Sequence, residues 1–153
     1  LAAWRQDPEA VLFLEGQGLR AFIQQQRTEE ALDWYARALA LDPAAATVWY
    51  WQGKAYEELG RPQAALASFR WAVAYGEGEM FLGRGVADLA WEQQGRVLVE
   101  QGAWEEARDA FAAAVALNPA YADYRQQLAD VEEMLWQMRQ EQIVRPSLVE
   151  ETD

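Results

Sequence analysis

The stretch Trp49-Tyr50-Trp51-Gln52-Gly53 contains a frame that this chain repeats three times. The frame consists of a large apolar residue, two variable residues and then Gln-Gly. The other copies are Leu14-Glu15-Gly16-Gln17-Gly18 and Trp91-Glu92-Gln93-Gln94-Gly95. A motif that recurs with a period of tens of residues indicates an array of similar structural units rather than a single irregular domain.

A second frame follows each copy of the first. An alanine is followed four residues later by an aromatic residue, and three residues after that by another alanine. The first alanines lie 34 residues apart (31 to 65) and then 42 apart (65 to 107). A period of 34 is that of a helix–turn–helix repeat. The three copies are Ala31-Tyr35-Ala38, Ala65-Phe69-Ala72 and Ala107-Phe111-Ala114.

The two frames predict the seam of a helix pair. Trp49, Gly53 and Tyr56 are spaced at i, i+4 and i+7, so they share one face of a helix. Ala65 and Phe69 lie on the matching face of the next helix. Because glycine and alanine let two backbones approach closely, a larger residue at Gly53 or Ala65 should cost ~1–3 kcal/mol by overpacking.

These frames resemble the tetratricopeptide repeat (TPR) family over residues 10–121. The resemblance implies an all-α, right-handed superhelix of three helix-turn-helix repeats with a C-terminal capping helix. It places a TPR domain at 1–142, with repeats near 10–45, 46–79 and 88–121, an insertion at 80–87, a capping helix near 120–142 and an acidic tail at 143–153. The residues that carry the signature are Gly18, Ala31, Tyr35, Pro43, Trp49, Gly53, Tyr56, Ala65, Phe69, Trp91, Gly95, Ala107, Phe111 and Pro119.

The local signals agree with seven helices and no strand. The helices are predicted near 9–25, 29–41, 44–59, 63–75, 87–101, 104–117 and 120–142. Gly60 and Gly102 fall in turns where a left-handed residue is expected. The turn of the first copy contains one extra residue. The apolar stripe of the seventh helix is Tyr121, Tyr124, Leu128, Val131 and Leu135.

The composition argues against several classes of function. The chain has 153 residues, with 25 acidic and 13 basic side chains and a net charge of −12, and it contains no cysteine or histidine. Disulfides, the usual zinc sites and most acid–base catalysis at neutral pH are therefore not expected. The negative charge disfavours nucleic acids and anionic membranes. We expect no enzyme activity, cofactor or metal, and no membrane insertion of this fragment.

The resemblance implies that the first helices of the repeats line a concave groove that binds a protein or peptide partner. An extended peptide or a helix with some acidic character would suit this groove. The alternative is that Glu92 and Arg96 form an ordinary i,i+4 pair on a solvated face. The residues predicted to bind the partner are Tyr50, Trp51, Lys54, Glu57, Glu92 and Arg96, with Phe81 of the insertion as second choice.

The insertion and the surplus tryptophans each allow two interpretations. The glycine-rich segment 75–85 is either a docking loop with an apolar tip, or a loop whose Phe81 and Leu82 fold back over the neighbouring core. Tryptophans are enriched in binding hot spots and also fill cores. For Trp71 and Trp136 we expect packing in the core or between repeats.

One subtype of the family can be tested on the sequence. Its co-chaperone members hold a C-terminal carboxylate with a clamp of lysine, asparagine and arginine. The corresponding slots match none of these residue types, so binding of chaperone tails by that clamp is not expected. The slots are Glu15, Leu19, Trp51, Leu89 and Gln93.

The sequence therefore predicts a protein-interaction scaffold, a monomer or weak homo-oligomer, that takes part in the assembly of a multiprotein complex. One alternative is a solenoid that associates with itself. Another is a soluble domain of a membrane-anchored assembly factor, since the nearly lysine-free composition, rich in Gln and Trp, resembles TPR assembly factors of photosynthetic membranes. We expect a location in the cytoplasm or on the cytoplasmic face of a membrane. The chain begins at Leu1, as a trimmed or processed form would.

Overall fold

A computed structural model describes residues 7–149, and the side chains as far as residue 144. Seven α-helices account for most of this part of the chain. A π-helical segment, Arg20–Gln24, continues the first helix, and a two-stranded antiparallel hairpin, β1 (Met80–Phe81) and β2 (Arg84–Gly85), precedes the fifth. The helices are α1 (Pro8–Leu19), α2 (Thr28–Leu41), α3 (Ala46–Glu58), α4 (Pro62–Tyr75), α5 (Val86–Glu100), α6 (Trp104–Leu117) and α7 (Ala122–Val149).

A side-chain cap precedes α1, and glycines in the left-handed region follow α3 and α5. The Asp7 carboxylate accepts a hydrogen bond from the Ala10 N–H at 2.9 Å, and Pro8 occupies the first helical position, which needs no N–H donor. Gly60 and Gly102 follow α3 and α5 with φ of +67° and +71°. The predicted left-handed turn residues are thus confirmed.

The helices form two layers. Each helix packs against the next one along the chain, and α3 also contacts α5 directly. The inner layer consists of α1, α3, α5 and α7, and the outer layer consists of α2, α4 and α6. The prediction of an all-α superhelix with three helix pairs and a capping helix is confirmed.

The Gln-Gly frame works by accepting an aromatic ring at its glycine. A Cβ on Gly53 would lie 2.5 Å from Phe69 Cε1, and one on Gly95 would lie 2.6 Å from Phe111 Cε1. Gly18 and Tyr35 repeat this contact in the first pair. The aromatic residue of the second frame therefore lies in the notch that the glycine of the first frame leaves open.

Three details differ from the sequence prediction. The prediction that the chain contains no strand is wrong, because residues 80–85 form the two-stranded hairpin. The extra residue in the first turn is accommodated by the π-helical segment, whose wider turns take up one residue more than an α-helix does. The segment from 143 onward is helical as far as Val149 rather than a tail, whereas the predicted acidic end at 150–153 lies outside the described residues.

The capping helix buries the predicted stripe. Tyr124, Val131 and Leu135 are buried, and Leu128 packs against the same core. Trp136 is 57% exposed, so the expectation that it packs between repeats is wrong. Among residues 7–149, no helix combines the length and apolar character needed to cross a bilayer.

Trp71 lies on the outer layer, where it is half exposed rather than part of the core. Its ring stacks on Tyr75 at a centroid distance of 5.7 Å and lies 6.0 Å from the ring of Trp49. Trp49, in the consensus position, also donates its indole N–H to the Pro43 carbonyl at 2.7 Å. This bond joins the start of α3 to the proline that ends the first repeat.

Candidate binding groove

Except for Phe81, which lies in β1, the side chains predicted to bind a partner lie on the inner layer, and several of them bridge neighbouring helices. One contact joins each consecutive pair of helices in this layer. The three contacts are the rings of Phe22 and Trp51, whose centroids are 6.4 Å apart, Lys54 Nζ with Gln93 Oε1 at 3.1 Å, and Gln127 Nε2 with Glu92 Oε1 at 3.0 Å.

The segment 76–85, which we call the insert hairpin, covers the inner surface from α3 to the start of α7. The Phe81 ring lies 6.2 Å from the Tyr50 ring and 5.7 Å from the Trp51 ring. Leu82, by contrast, is 81% exposed. The interpretation that the segment folds back is therefore right for Phe81 and wrong for Leu82.

Tyr50 and Trp51 form the floor beneath the insert hairpin. Tyr50 is only 9% exposed and its ring also contacts Phe69, so it belongs to the core as much as to the groove. Burial raises the pKa of the Tyr50 hydroxyl, and the nearby Glu92 carboxylate adds to this. Trp51 Nε1 is buried and has no hydrogen-bond partner among the described residues.

Arg84, in the second strand of the hairpin, contacts residues of α5 and α7. Arg84 Nη1 lies 3.3 Å from Glu92 Oε2 and 3.4 Å from the Tyr124 hydroxyl. Its guanidinium also stacks over the Tyr121 ring at 4.7 Å from the centroid. Glu92 therefore pairs with Arg84, and the alternative in which it forms an ordinary pair with Arg96 is wrong.

The two remaining basic residues of the groove differ in their surroundings. Lys54 Nζ contacts Glu57 Oε2 at 3.3 Å and also Gln93, so its charge is already compensated. Arg96 is exposed, and it makes no ion pair within the described part of the chain. Arg96 is thus the basic group of this surface that remains available to a ligand.

The inner layer also contains a half-buried acid, Glu15, near its N-terminal edge. Burial raises the pKa of the Glu15 carboxyl; the Thr47 hydroxyl, which hydrogen-bonds to it, opposes this change, and the carboxylate of Glu79 adds to it. Glu15 occupies one of the slots of the carboxylate clamp. Two other slots, Leu89 and Gln93, are buried. An acid and buried side chains at these slots do not form a site for a carboxylate.

An open cleft of about 350 Å³ lies between α5 and α7, in the C-terminal half of the inner surface. The sequence analysis missed the contribution of α7. The predicted apolar stripe of the capping helix includes Val131, and Gln127 and Met134, one helical turn away on either side, also line the cleft. The cleft is lined chiefly by Arg96, Val99, Trp104, Gln127, Val131 and Met134.

The chemistry of this cleft is apolar with polar groups at its margin. Val99, Val131 and Met134 supply aliphatic and thioether surface. Gln127 Oε1 is buried without a partner among residues 7–149, whereas its amide nitrogen donates to Glu92 Oε1. An apolar side chain with adjacent backbone donors would fit these groups.

The fold and the groove define a helical-repeat protein that presents an inner surface with one part covered and another part open. The sequence matches the family model described as TPR repeat at residues 20–60, and the model described as Tetratricopeptide repeat at 50–122 and 92–135. The second model alone spans more than half of the chain. The chain belongs to the tetratricopeptide repeat family.

Solved TPR domains share this fold at low sequence identity. The first TPR domain of Spaghetti (RPAP3), solved with an HSP90 peptide, has a TM-score of 0.71 and 22% identity over 84% of this chain and 95% of that one. The second TPR domain of human RPAP3, solved with an HSP70 peptide, gives 0.68 and 18% over 81% and 96%. The N-terminal domain of STI-1 from C. elegans gives 0.72 and 19% over 81% and 95%. No curated protein matches the sequence.

Proposed function

We propose that the chain is a protein-interaction scaffold that binds a segment of a partner along its inner layer and so helps to assemble a multiprotein complex. The observation that carries this proposal is the open, apolar cleft between α5 and α7. Grooves lined by apolar groups with a few polar atoms at their margin bind the anchor side chains of peptides and helices.

Related folds bind peptides. The first TPR domain of Spaghetti was solved with the HSP90 peptide SRMEEVD, and the second TPR domain of human RPAP3 with the HSP70 peptide SGPTIEEVD. These peptides are acidic, and they support a peptide as the class of ligand. They do not fit the charge of the present groove, where Glu15 stands at a slot of the carboxylate clamp.

We therefore propose a different ligand chemistry for this chain. The expectation of an acidic ligand depended on Lys54 and Arg96, and the charge of Lys54 is compensated within the protein. Lys54 is surrounded in this part of the groove by Glu57, Glu58 and Glu100. A segment with an apolar anchor for the cleft and basic residues toward these carboxylates complements the surface best.

Photocrosslinking tests the position of the site. A photoreactive residue at Met134 should capture the partner, whereas one at Asp109 on the outer layer, whose side chain is 71% exposed, should not. Once the partner is identified, Met134→Glu should weaken its binding about tenfold or more, because a carboxylate would be buried in an apolar cleft. Trp136→Glu is the matched control on the exposed face of the same helix. Equal binding by both variants would exclude the cleft.

Self-association is a second candidate, favoured by the apolar side chains that α7 exposes. Trp136, Ile143 and Val144 are each more than half exposed. Trp136 and Ile143 are seven residues apart and so lie on the same side of the helix, and exposed apolar side chains that cluster can mark an interaction surface. Light scattering over a range of concentrations tests this candidate: a dimer that Ile143→Glu dissociates supports it, and a monomer at every concentration rejects it.

A further inference from the structure

The insert hairpin occupies the groove in the manner of a bound peptide. It lies across the inner surface from α3 to α7 and inserts one aromatic and one basic side chain. The geometry points to a receptor site for an aromatic–x–x–arginine segment, which the chain's own Phe81-Leu82-Gly83-Arg84 fills as an intramolecular ligand. A partner segment with the same pattern would compete with it. This inference extends the proposed function to regulation of the same groove.

The aromatic subsite is built from three rings on two helices. Phe81 meets the Trp51 ring edge to face, at an interplanar angle of 84°, and Trp51 meets Phe22 at 62°. The ring of Tyr50 closes the third side. Such edge-to-face contacts select an aromatic side chain over an aliphatic one of similar size. The unpartnered Trp51 Nε1 adds a donor that the hairpin leaves unused.

The arginine subsite is a buried acid between two tyrosines. Glu92 is only 7% exposed, and its two oxygens are held by Arg84 and Gln127. The faces of Tyr121 and Tyr124 both contact the guanidinium. A planar cation that both pairs with a carboxylate and stacks on rings is the specific property of arginine, so lysine would be a poor substitute.

The insert hairpin has little regular backbone structure of its own and left-handed residues near its tip and base. Its strands are only two residues long. Leu82 adopts φ +52° at the tip, a conformation that residues with a side chain disfavour, and Gly83 beside it has φ +77°. Gly78, at φ +79°, joins the hairpin to the end of α4. The hairpin can therefore undock by local changes that leave the helices in place.

Docking in cis sets the affinity for any competing segment. A ligand that needs the empty site binds with an apparent affinity reduced by the fraction of molecules whose hairpin is undocked. Substitutions that weaken Phe81 and Arg84 together should raise that fraction. The insert would then act as a threshold, which excludes weak ligands and admits partners that fill both subsites.

The test uses the chain's own sequence as a probe. A fluorescein-labelled peptide with the sequence of residues 76–86 is titrated against the wild type and against the Phe81→Ala/Arg84→Ala double variant, with fluorescence anisotropy as the readout. The double variant is expected to bind the probe about tenfold or more tightly than the wild type. A probe with alanine at the positions of Phe81 and Arg84 is expected not to bind.

Two results would overturn the inference: equal affinity of the wild type and the double variant for the probe, or no binding by a double variant that keeps its helical circular dichroism. Phe81→Ala alone retains the Arg84–Glu92 pair and guards against loss of the fold. It should show an intermediate affinity. Met134→Glu should leave probe binding unchanged, so failure of this inference is distinguishable from failure of the proposed partner site.

Discussion

Gly53→Ala should destabilise the protein, although alanine forms helices more readily than glycine. The new Cβ would lie 2.5, 2.7 and 2.8 Å from Cε1, Cδ1 and Cζ of the Phe69 ring. These distances are far inside normal contact. Because Phe69 is fully buried and also contacts Tyr50, the ring can move only if α3 and α4 separate or the core shifts with it.

The change in the free energy of unfolding caused by Gly53→Ala is the difference between two opposing effects. Overpacking a tight core costs ~1–3 kcal/mol. Replacing glycine by alanine within a helix returns ~1 kcal/mol. We expect a net loss of up to ~2 kcal/mol in the free energy of unfolding, and for a chain of this size a Tm lower by up to about 8 °C.

Gly16→Ala is the matched control. Gly16 lies in α1, it is exposed, and no atom would come within 4 Å of its new Cβ. Only the helix-propensity effect operates there, so this variant should gain ~0.5–1 kcal/mol. Urea denaturation followed by circular dichroism at 222 nm, a wavelength characteristic of helices, measures both variants.

A double-mutant cycle isolates the contact. Phe69→Leu alone should be destabilising, but it should make Gly53→Ala less costly because the ring edge is gone. The coupling free energy between the two sites should be ~0.5–3 kcal/mol. If Gly53→Ala and Gly16→Ala shift the free energy of unfolding in the same direction, or if the two sites show no coupling, the argument from ring contact is refuted.

Five other substitutions, four of them in two contrasting pairs, test burial at single positions. Glu15→Gln should stabilise the protein at pH 7, because the raised pKa of Glu15 means that the folded protein penalises the ionised carboxylate. Below pH 4.5 the carboxyl is protonated in both the folded and the unfolded state, so the stability gain measured by urea denaturation should vanish there. Tyr35→Phe should be neutral or stabilising by up to ~1 kcal/mol in thermal melts, since the Tyr35 hydroxyl is buried without a partner in the described chain. Tyr124→Phe should instead cost ~1 kcal/mol, because it loses the hydrogen bond that Arg84 donates to the Tyr124 hydroxyl. Leu135→Ala should cost ~2–5 kcal/mol and the neighbouring Trp136→Ala under ~1 kcal/mol, because the first side chain is 6% exposed and the second 57%; similar losses would contradict the packing of α7.

The helix pairs could be predicted because their information is local and repeated. Gly53 and Phe69 belong to frames whose spacing follows the pitch of a helix, and each frame occurs three times. The same reasoning identified the buried positions Tyr124 and Val131 of the capping helix. The length of α7 was not predictable in this way, since Ile143 and Val144 are exposed and no packing partner in the described chain marks where the helix ends.

The insert could not be predicted from spacing alone, because a hairpin alternates its side chains between two faces. Phe81 and Leu82 are adjacent and both apolar, so the sequence alone does not show which of the two packs against the groove. The turn at Leu82 and Gly83 directs Phe81 toward Trp51 and leaves Leu82 in solvent. Which residue is buried thus depends on the register of two short strands, which no helical periodicity encodes.

The partner of Glu92 shows why the groove was only half predictable. Within a helix, the i+4 rule proposes Arg96, and that rule is sound when no other cation competes. The insert hairpin brings Arg84 back over the same carboxylate and adds contacts with Tyr121 and Tyr124, so the non-local pair forms instead. As a consequence, Arg96 is left exposed beside the open cleft, where a partner's backbone carbonyl groups can reach it. The groove therefore has a charge pattern that depends on whether the hairpin is docked.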